Sequence, residues 1–305
     1  MNRLLLLLTF SLSLFAPDNG NNLVLGIPSN DGQIVNRVGY AFCYSEKHEQ
    51  PLWVTYELTK QEVLTKVARR KDNFRKDPLV KTGSAFLADY KGSGYDRGHL
   101  APAADMAWSE TAMSESFYLS NISPQDAGLN RGMWAQLEKH CRNWAVANDK
   151  VHIITGPLIR PNYATIGSNK VTVPQWYYKI CVSVKNKKAI AFLIPNRKPQ
   201  RGLEGFIVTV DKLEEVTGLD FMDKLPDDLE NQIEAKSDAR DWGLTATVYK
   251  PRVTSEKKEE PKGAGLFWIT SSSHKRHNSS CRWFENSKGH LGSKAEGVAC
   301  KICGG

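Results

Sequence analysis

The sequence predicts an α+β domain built around a central antiparallel sheet, followed by a small C-terminal module. Three observations predict it. Strand-like runs at 52–58, 151–155, 176–184 and 189–195 do not alternate regularly with helices, as a doubly wound parallel sheet would require. The segment 131–147 repeats Trp134, Leu137, Cys141 and Trp144 at helical spacing, so one helix should press an apolar face on the core. Residues 251–264 combine Pro, Lys and Glu with almost nothing to bury, which marks a linker and sets 265–305 apart. A length of 305 residues accommodates one large domain, 17–250, and something small.

The elements follow in order. Met1-Asn2-Arg3 precedes an almost wholly apolar run from Leu4 to Ala16, the pattern of a cleaved signal peptide over 1–16. A secreted or periplasmic protein is therefore expected. The run is short for a membrane span of about 20 residues, and no later segment is long and apolar enough, so stable membrane insertion is not expected. Residues 17–37 are rich in Gly, Asn and Asp and read as a loose lead-in. Residues 67–78 form a basic stretch, either a solvated face or a phosphate-contacting loop. Gly156-Pro157 closes one strand with a turn, and a short helix is expected from Lys212 to Thr217.

The formal charge of +8 is compatible with an anionic partner but decides little by itself. The six cysteines could form disulfides in an exported chain. They divide into Cys43, Cys141 and Cys181 in the body and Cys281, Cys300 and Cys303 in the tail.

The most informative stretch for function is Tyr-Asp-Arg-Gly-His-Leu-Ala-Pro at 95–102. It sets Arg97, a phosphate-binding cation, two residues from His99, a proton acceptor near neutral pH. Gly98 between them is expected to allow a tight turn. A guanidinium beside an imidazole suits phosphodiester hydrolysis, which needs charge to hold the phosphate and a base to activate water. The stretch 129–132, Leu-Asn-Arg-Gly, reads on its own as a helix start with Asn130 as N-cap. Asn130, Trp134, Glu138 and Arg142 then recur every four residues, as one ridge of a helix.

Three segments, YDRGHLAPAADM (95–106), FYLSNISPQ (117–125) and LNRGMWAQLEKHCR (129–142), resemble the DNA/RNA non-specific endonucleases. These are the sugar-nonspecific ββα-metal (His-Me finger) nucleases of the endonuclease G type. The resemblance runs from about Leu52 to Thr217. It implies that His99 is the general base and that Asn130 ligates Mg²⁺ (or Mn²⁺), a hard cation suited to a neutral amide oxygen. It implies that Glu138 lies near the metal, that Arg142 and Arg97 lie near the phosphate, and that Asn121 positions His99 or the phosphate. Asp96 is expected to orient its neighbours. The family's further upstream arginine has two candidates here, Arg70 and Arg75. DNA and RNA are the implied substrates, cut without sequence preference, because phosphate contacts carry no sequence information.

The tail reads His277-x₃-Cys281, then Cys300-x₂-Cys303. Three thiols and an imidazole fit a tetrahedral Zn²⁺ site, and a module this small needs a staple. The pattern resembles the zinc module of Ada-type repair proteins; His274 and His290 are alternative ligands, and disulfides the alternative bond. A module charge of about +4 with Trp268, Trp283 and Phe284 suits either a nucleic-acid tether or a tiny aromatic core. The expected protein is an exported, Mg²⁺-dependent endonuclease leaving 5′-phosphate and 3′-hydroxyl ends. The alternative is a nucleic-acid-binding protein that keeps the fold without turnover.

Overall fold

The computed structural model describes residues 21–160, 163–244, 267–278, 281, 284, 287–292 and 296–300. The expected signal segment and the linker lie outside the described residues, as do Trp283 and Cys303.

The chain opens with a meander of β1 (Gln33–Asn36), β2 (Ala41–Ser45) and β3 (Gln50–Thr59), then α1 (Lys60–Leu64). The basic stretch after α1 is irregular. Next come α2 (Leu87–Tyr90), β4 (Asp96–His99), α3 (Glu110–Glu115) and β5 (Ile122–Gln125). A π-helical stretch, Leu129–Trp134, leads into α4 (Ala135–Ala147). The chain continues through β6 (Lys150–Leu158), the short pair β7 (Thr165–Ile166) and β8 (Val171–Thr172), then β9 (Trp176–Ser183), β10 (Lys188–Pro195) and β11 (Ile207–Val208). Two helices, α5 (Val210–Thr217) and α6 (Asp227–Glu234), close the body. The tail adds β12 (Phe267–Thr270), β13 (Lys275–His277), β14 (Gly289–Gly292) and β15 (Val298–Ala299).

The expected antiparallel sheet is present. Seven strands run in the order β1-β2-β3-β6-β9-β10-β11, all neighbours antiparallel. Its central strands are buried on both faces, so alternate residues feed two different cores. On β9, Tyr177 and Cys181 join the core that contains Trp134, Leu137, Cys141 and Trp144 of the α4 region. Tyr178, Ile180 and Val182 face the opposite core, with Val210, Leu213 and Val216 of α5 and Ile233 of α6.

The tail module does not stand apart. Trp268, Cys281, Phe284, Leu291 and Cys300 are buried within that second core, and the Phe284 ring lies 6.3 Å from Trp176. Lys212 of α5 reaches Glu296 at 3.0 Å. Of the two readings left open for the tail aromatics, Trp268 and Phe284 follow the packing one, in a core larger than the module's own. The module sits on the face of the sheet away from α4.

Two local expectations also change. Asn130 does not cap α4, which begins only after the π-helical stretch, where Gly132 leaves helical dihedrals (φ −108°, ψ −106°). The cap of that stretch is Asp126, whose Oδ1 accepts from the backbone of Gly128 (2.8 Å) and Leu129 (3.2 Å). Gly98 makes no turn: it lies inside β4, and a Cβ there would meet Gln125 Oε1 at 2.1 Å. Close approach of the Gln125 side chain, not backbone freedom, requires glycine.

Among the described residues, Cys43, Cys141 and Cys181 of the body are buried and form no disulfide, and Cys281 and Cys300 of the tail are buried. Among the described residues no helix is long and apolar enough to cross a membrane.

Candidate active site

β4 and β5 pair antiparallel, with Asp96 opposite Gln125 and His99 opposite Ile122. With α4 they make a ββα unit. Arg97 and His99, two residues apart, share one face of β4; Arg97 is exposed and His99 is buried at the strand end. Trp134 Nε1 donates to the His99 carbonyl at 3.3 Å, tying the helix start to the strand end.

His99 sits in an aromatic notch. Its ring lies 5.1 Å from Phe117, edge-on, and 5.4 Å from Phe74. Nε2 is shut from bulk water and has no hydrogen-bond partner. Burial, helped by the positive charges of Arg70 and Arg97, lowers the imidazole pKa to about 3. His99 is thus a free base at any physiological pH.

Asn121, expected to position His99 or the phosphate, is set on the chain beside His99. It is fully buried, and all its polar capacity goes to backbone. Nδ2 donates to the carbonyls of Ala101 (2.8 Å) and Ser116 (2.9 Å), and Oδ1 accepts from Ala101 N (2.9 Å). Its own carbonyl accepts from Leu100 N at 3.0 Å. Asn121 pins the chain just after His99 and so fixes where the imidazole sits.

Asn130 is half-buried. Its Nδ2 donates to Asp96 Oδ2 at 2.9 Å, which leaves Oδ1, the atom a hard cation prefers, uncommitted. Asp96 also takes a two-pronged contact from Arg131, Nε at 2.8 Å and Nη2 at 2.6 Å. Partial burial opposes ionisation of Asp96, but the hydrogen bonds from Arg131 and Asn130 hold its carboxyl below the usual range.

Glu138 is half-buried on α4. Burial pushes its carboxyl up to about 7; Lys179 and Arg142 pull it down, while Asp105 adds to the rise. Such a group gains from a cation nearby. Arg142 is not on open ground: its Nη1 donates to buried Asp105 Oδ1 at 2.7 Å, and Asp105 Oδ2 accepts from Tyr56 at 2.8 Å. Arg142, expected near the phosphate, is held here in an ion pair that anchors the helix ridge. Arg97 is exposed, its guanidinium 4.3 Å from the Phe74 ring centre.

The two upstream arginines have different surroundings. Arg75 is spent internally, donating to Asn73 O, Ser114 O and Ser114 Oγ and lying 3.8 Å over the Tyr118 ring. Arg70 is exposed and lines a cleft of about 480 Å³ together with Phe74, Asp96, Arg97, Asn130 and Arg131. Arg70 pairs with exposed Asp72 at 2.8 Å. Sequence reasoning missed Lys179 altogether. This lysine is 1% exposed on β9, donates to Leu100 O at 3.3 Å and lies 4.7 Å over the Trp134 ring. Its signal was present, a single cation in the apolar run WYYKICVSV.

In the tail, ligand atoms of His277, Cys281 and Cys300 lie within 4.8 Å of one another, all three residues buried. His277 Nδ1 is 3.1 Å from Cys281 Sγ. The fourth expected ligand, Cys303, lies outside the described residues. His274 and His290 are not in this cluster.

Residues 18–228 match the family described as DNA/RNA non-specific endonuclease. Mitochondrial endonuclease G of Homo sapiens is 35% identical over 206 residues, covering 62% of this chain and 69% of that protein. The mitochondrial nuclease of Saccharomyces cerevisiae is 35% identical over 226 residues, 66% of this chain and 69% of that protein. A solved EndoG/EndoGI complex superimposes with a TM-score of 0.65 at 31% identity, covering 72% of this chain and 98% of that one. These relatives correct the expectation of export. They are mitochondrial by name, which points to a mitochondrial rather than a secreted setting. A short apolar start does not identify its destination. A match over more than half the chain, on the strands and helix that carry His99 and Asn130, makes this protein a member of the DNA/RNA non-specific endonucleases, metal-dependent enzymes that hydrolyse phosphodiester bonds.

Proposed function

We propose that the chain cuts both DNA and RNA internally with Mg²⁺ (or Mn²⁺), using His99 as general base and Asn130 as cation ligand. The observation that carries this is the orphaned His99 Nε2. A buried nitrogen without a protein partner needs one from water or substrate, and this one is held unprotonated beside two arginines.

The residues fit a hard cation. Asn130 Oδ1 is directed by the Asp96 contact, and Glu138 offers a carboxylate for water ligands. When bound, a divalent cation there offsets charge on the phosphoryl and 3′-leaving oxygens. Arg70 and Arg97 hold the phosphate from the cleft rim. His99 Nε2 takes a proton from the attacking water, the new phosphorus–oxygen bond forms, the phosphorus–3′-oxygen bond breaks, and the departing 3′-oxygen takes a proton from a water molecule. The ends are then a 5′-phosphate and a 3′-hydroxyl. Asn121 and Lys179 act through position, holding the backbone at Ala101 and Leu100. The reading as a binding protein without turnover loses support, since no residue of the set is missing.

In the tail, His277, Cys281 and Cys300 supply three converging soft donors for a structural Zn²⁺, with Cys303 as the fourth. Bound zinc would stabilise a module whose core is shared with β9 and α5. Metal analysis of the purified protein tests this: one zinc per chain is expected, and none would leave the thiols as plain core residues.

Digestion of plasmid DNA and of ribosomal RNA with Mg²⁺ or with EDTA tests the main reading. Degradation of both substrates with Mg²⁺ and of neither with EDTA is expected. Cleavage of one polymer only, or cleavage unaffected by EDTA, would contradict it.

A further inference from the structure

Helices α5 and α6 both rest on β10, on the face of the sheet opposite α4, and they meet across carboxylates. Asp211 and Glu214 of α5 and Glu234 of α6 each bring an oxygen within 4.8 Å of the other two. Glu234 is the telling member. Only 6% of its surface is exposed, and its Oε1 is shut from water without a hydrogen-bond partner. Its carboxylate lies within hydrogen-bond reach of that of Glu214. The four side chains that act on it most strongly are Glu214, Glu230, Asp211 and Asp220, all acids. Lys212, on the same helix, pairs instead with Glu215 and Glu296. A buried carboxylate with one oxygen unsatisfied and two other acids beside it is costly unless something positive or a proton joins it.

We propose that Asp211, Glu214 and Glu234 form a binding site for a Ca²⁺-type divalent cation that clamps α6 to α5, apart from the nuclease centre. Oxygens that share one Ca²⁺ at about 2.4 Å lie no more than about 4.8 Å apart. The exposed side of Asp211 leaves room for the waters that complete a Ca²⁺ shell. The site supplies no chemistry; it fixes two short helices whose apolar faces form part of the second core.

Thermal unfolding of the full-length protein with added CaCl₂ tests this, in an Asn130→Ala background that removes the proposed cation ligand at the catalytic centre. No chelator is used, so the tail cluster is undisturbed. Millimolar Ca²⁺ should raise Tm by roughly 2–4 °C. Adding Glu234→Gln should abolish the rise. Should that variant fail to fold, exposed Asp211→Asn decides instead, by moving the Ca²⁺ midpoint upward at least about 10-fold. No Ca²⁺-dependent rise, or a rise that survives these substitutions unchanged, would overturn the proposal. Glu234→Gln raising Tm in a Ca²⁺-insensitive protein would assign the site to a shared proton.

Discussion

Asp96 holds Asn130 by its amide nitrogen, Nδ2 to Oδ2 at 2.9 Å, so that the amide oxygen is the end left over for a cation. Arg131 grips the same carboxylate from outside and keeps it ionised. The motif aspartate thereby selects which end of the Asn130 amide is presented.

Asp96→Ala should therefore weaken Mg²⁺ use rather than nucleic-acid binding. Loss of a partner behind a metal ligand costs about 10–100-fold in affinity or activity. The Mg²⁺ concentration for half-maximal cleavage should rise by that order, with DNA binding little changed. Equal loss at saturating and limiting Mg²⁺ would argue against a positioning role.

Asn121→Ala should act on stability. It strips partners from buried backbone at Ala101 and Ser116, each unsatisfied group costing about 1–3 kcal/mol. Tm should fall by several degrees, whereas Arg97→Ala, at an exposed position, should leave Tm nearly unchanged. A stable but inactive Asn121→Ala would argue against a backbone-pinning role and for the other expectation, that Asn121 positions the phosphate.

The two upstream arginines should separate cleanly. Arg70→Ala should cut activity with little change in Tm, by about 10–100-fold for loss of a charged phosphate contact worth 1.5–3 kcal/mol. Arg75→Ala should instead lower Tm, since it removes donors from Ser114 and Asn73. The reverse pattern would exchange their roles.

His99 should stay neutral well into acid. Its folded pKa, about 3, lies below the ordinary value of about 6.5. The unfolded chain therefore takes up this proton first as pH falls. The stability tied to neutral His99 is full above about 6.5 and is lost as pH drops from there towards 3. The imidazole proton resonances, followed by NMR, should show no titration between pH 8 and 5. A midpoint near 6.5 would mean that the ring is solvated.

The sequence carried much of the site because local pattern and chemistry coincide there. Arg97 and His99 fall on alternate residues of one strand, and Asn130 and Glu138 lie on the segment that faces it. What it did not carry depends on contacts made across the fold. Arg142 follows Glu138 by four residues, yet Asp105, 37 residues away in sequence, takes its guanidinium. Gly98 signalled a turn, but its lack of a Cβ serves Gln125 on the neighbouring strand. Asn130 had the residue type of a cap, while Asp126 takes that job and the start of the helix widens to a π-helix. The tail aromatics suggested a free-standing module because no local pattern reveals that Phe284 meets Trp176. Lys179 was legible only as an anomaly, a charge in a strand whose alternation later placed it beneath Trp134.

The central claim is that His99 is the base, and single-turnover cleavage of a DNA duplex by His99→Ala at saturating enzyme and Mg²⁺ tests it most directly. General-base catalysis contributes roughly 10²–10⁴-fold, so the rate constant should fall by that range while DNA affinity and Tm hold. A rate within a few-fold of wild type would contradict the assignment.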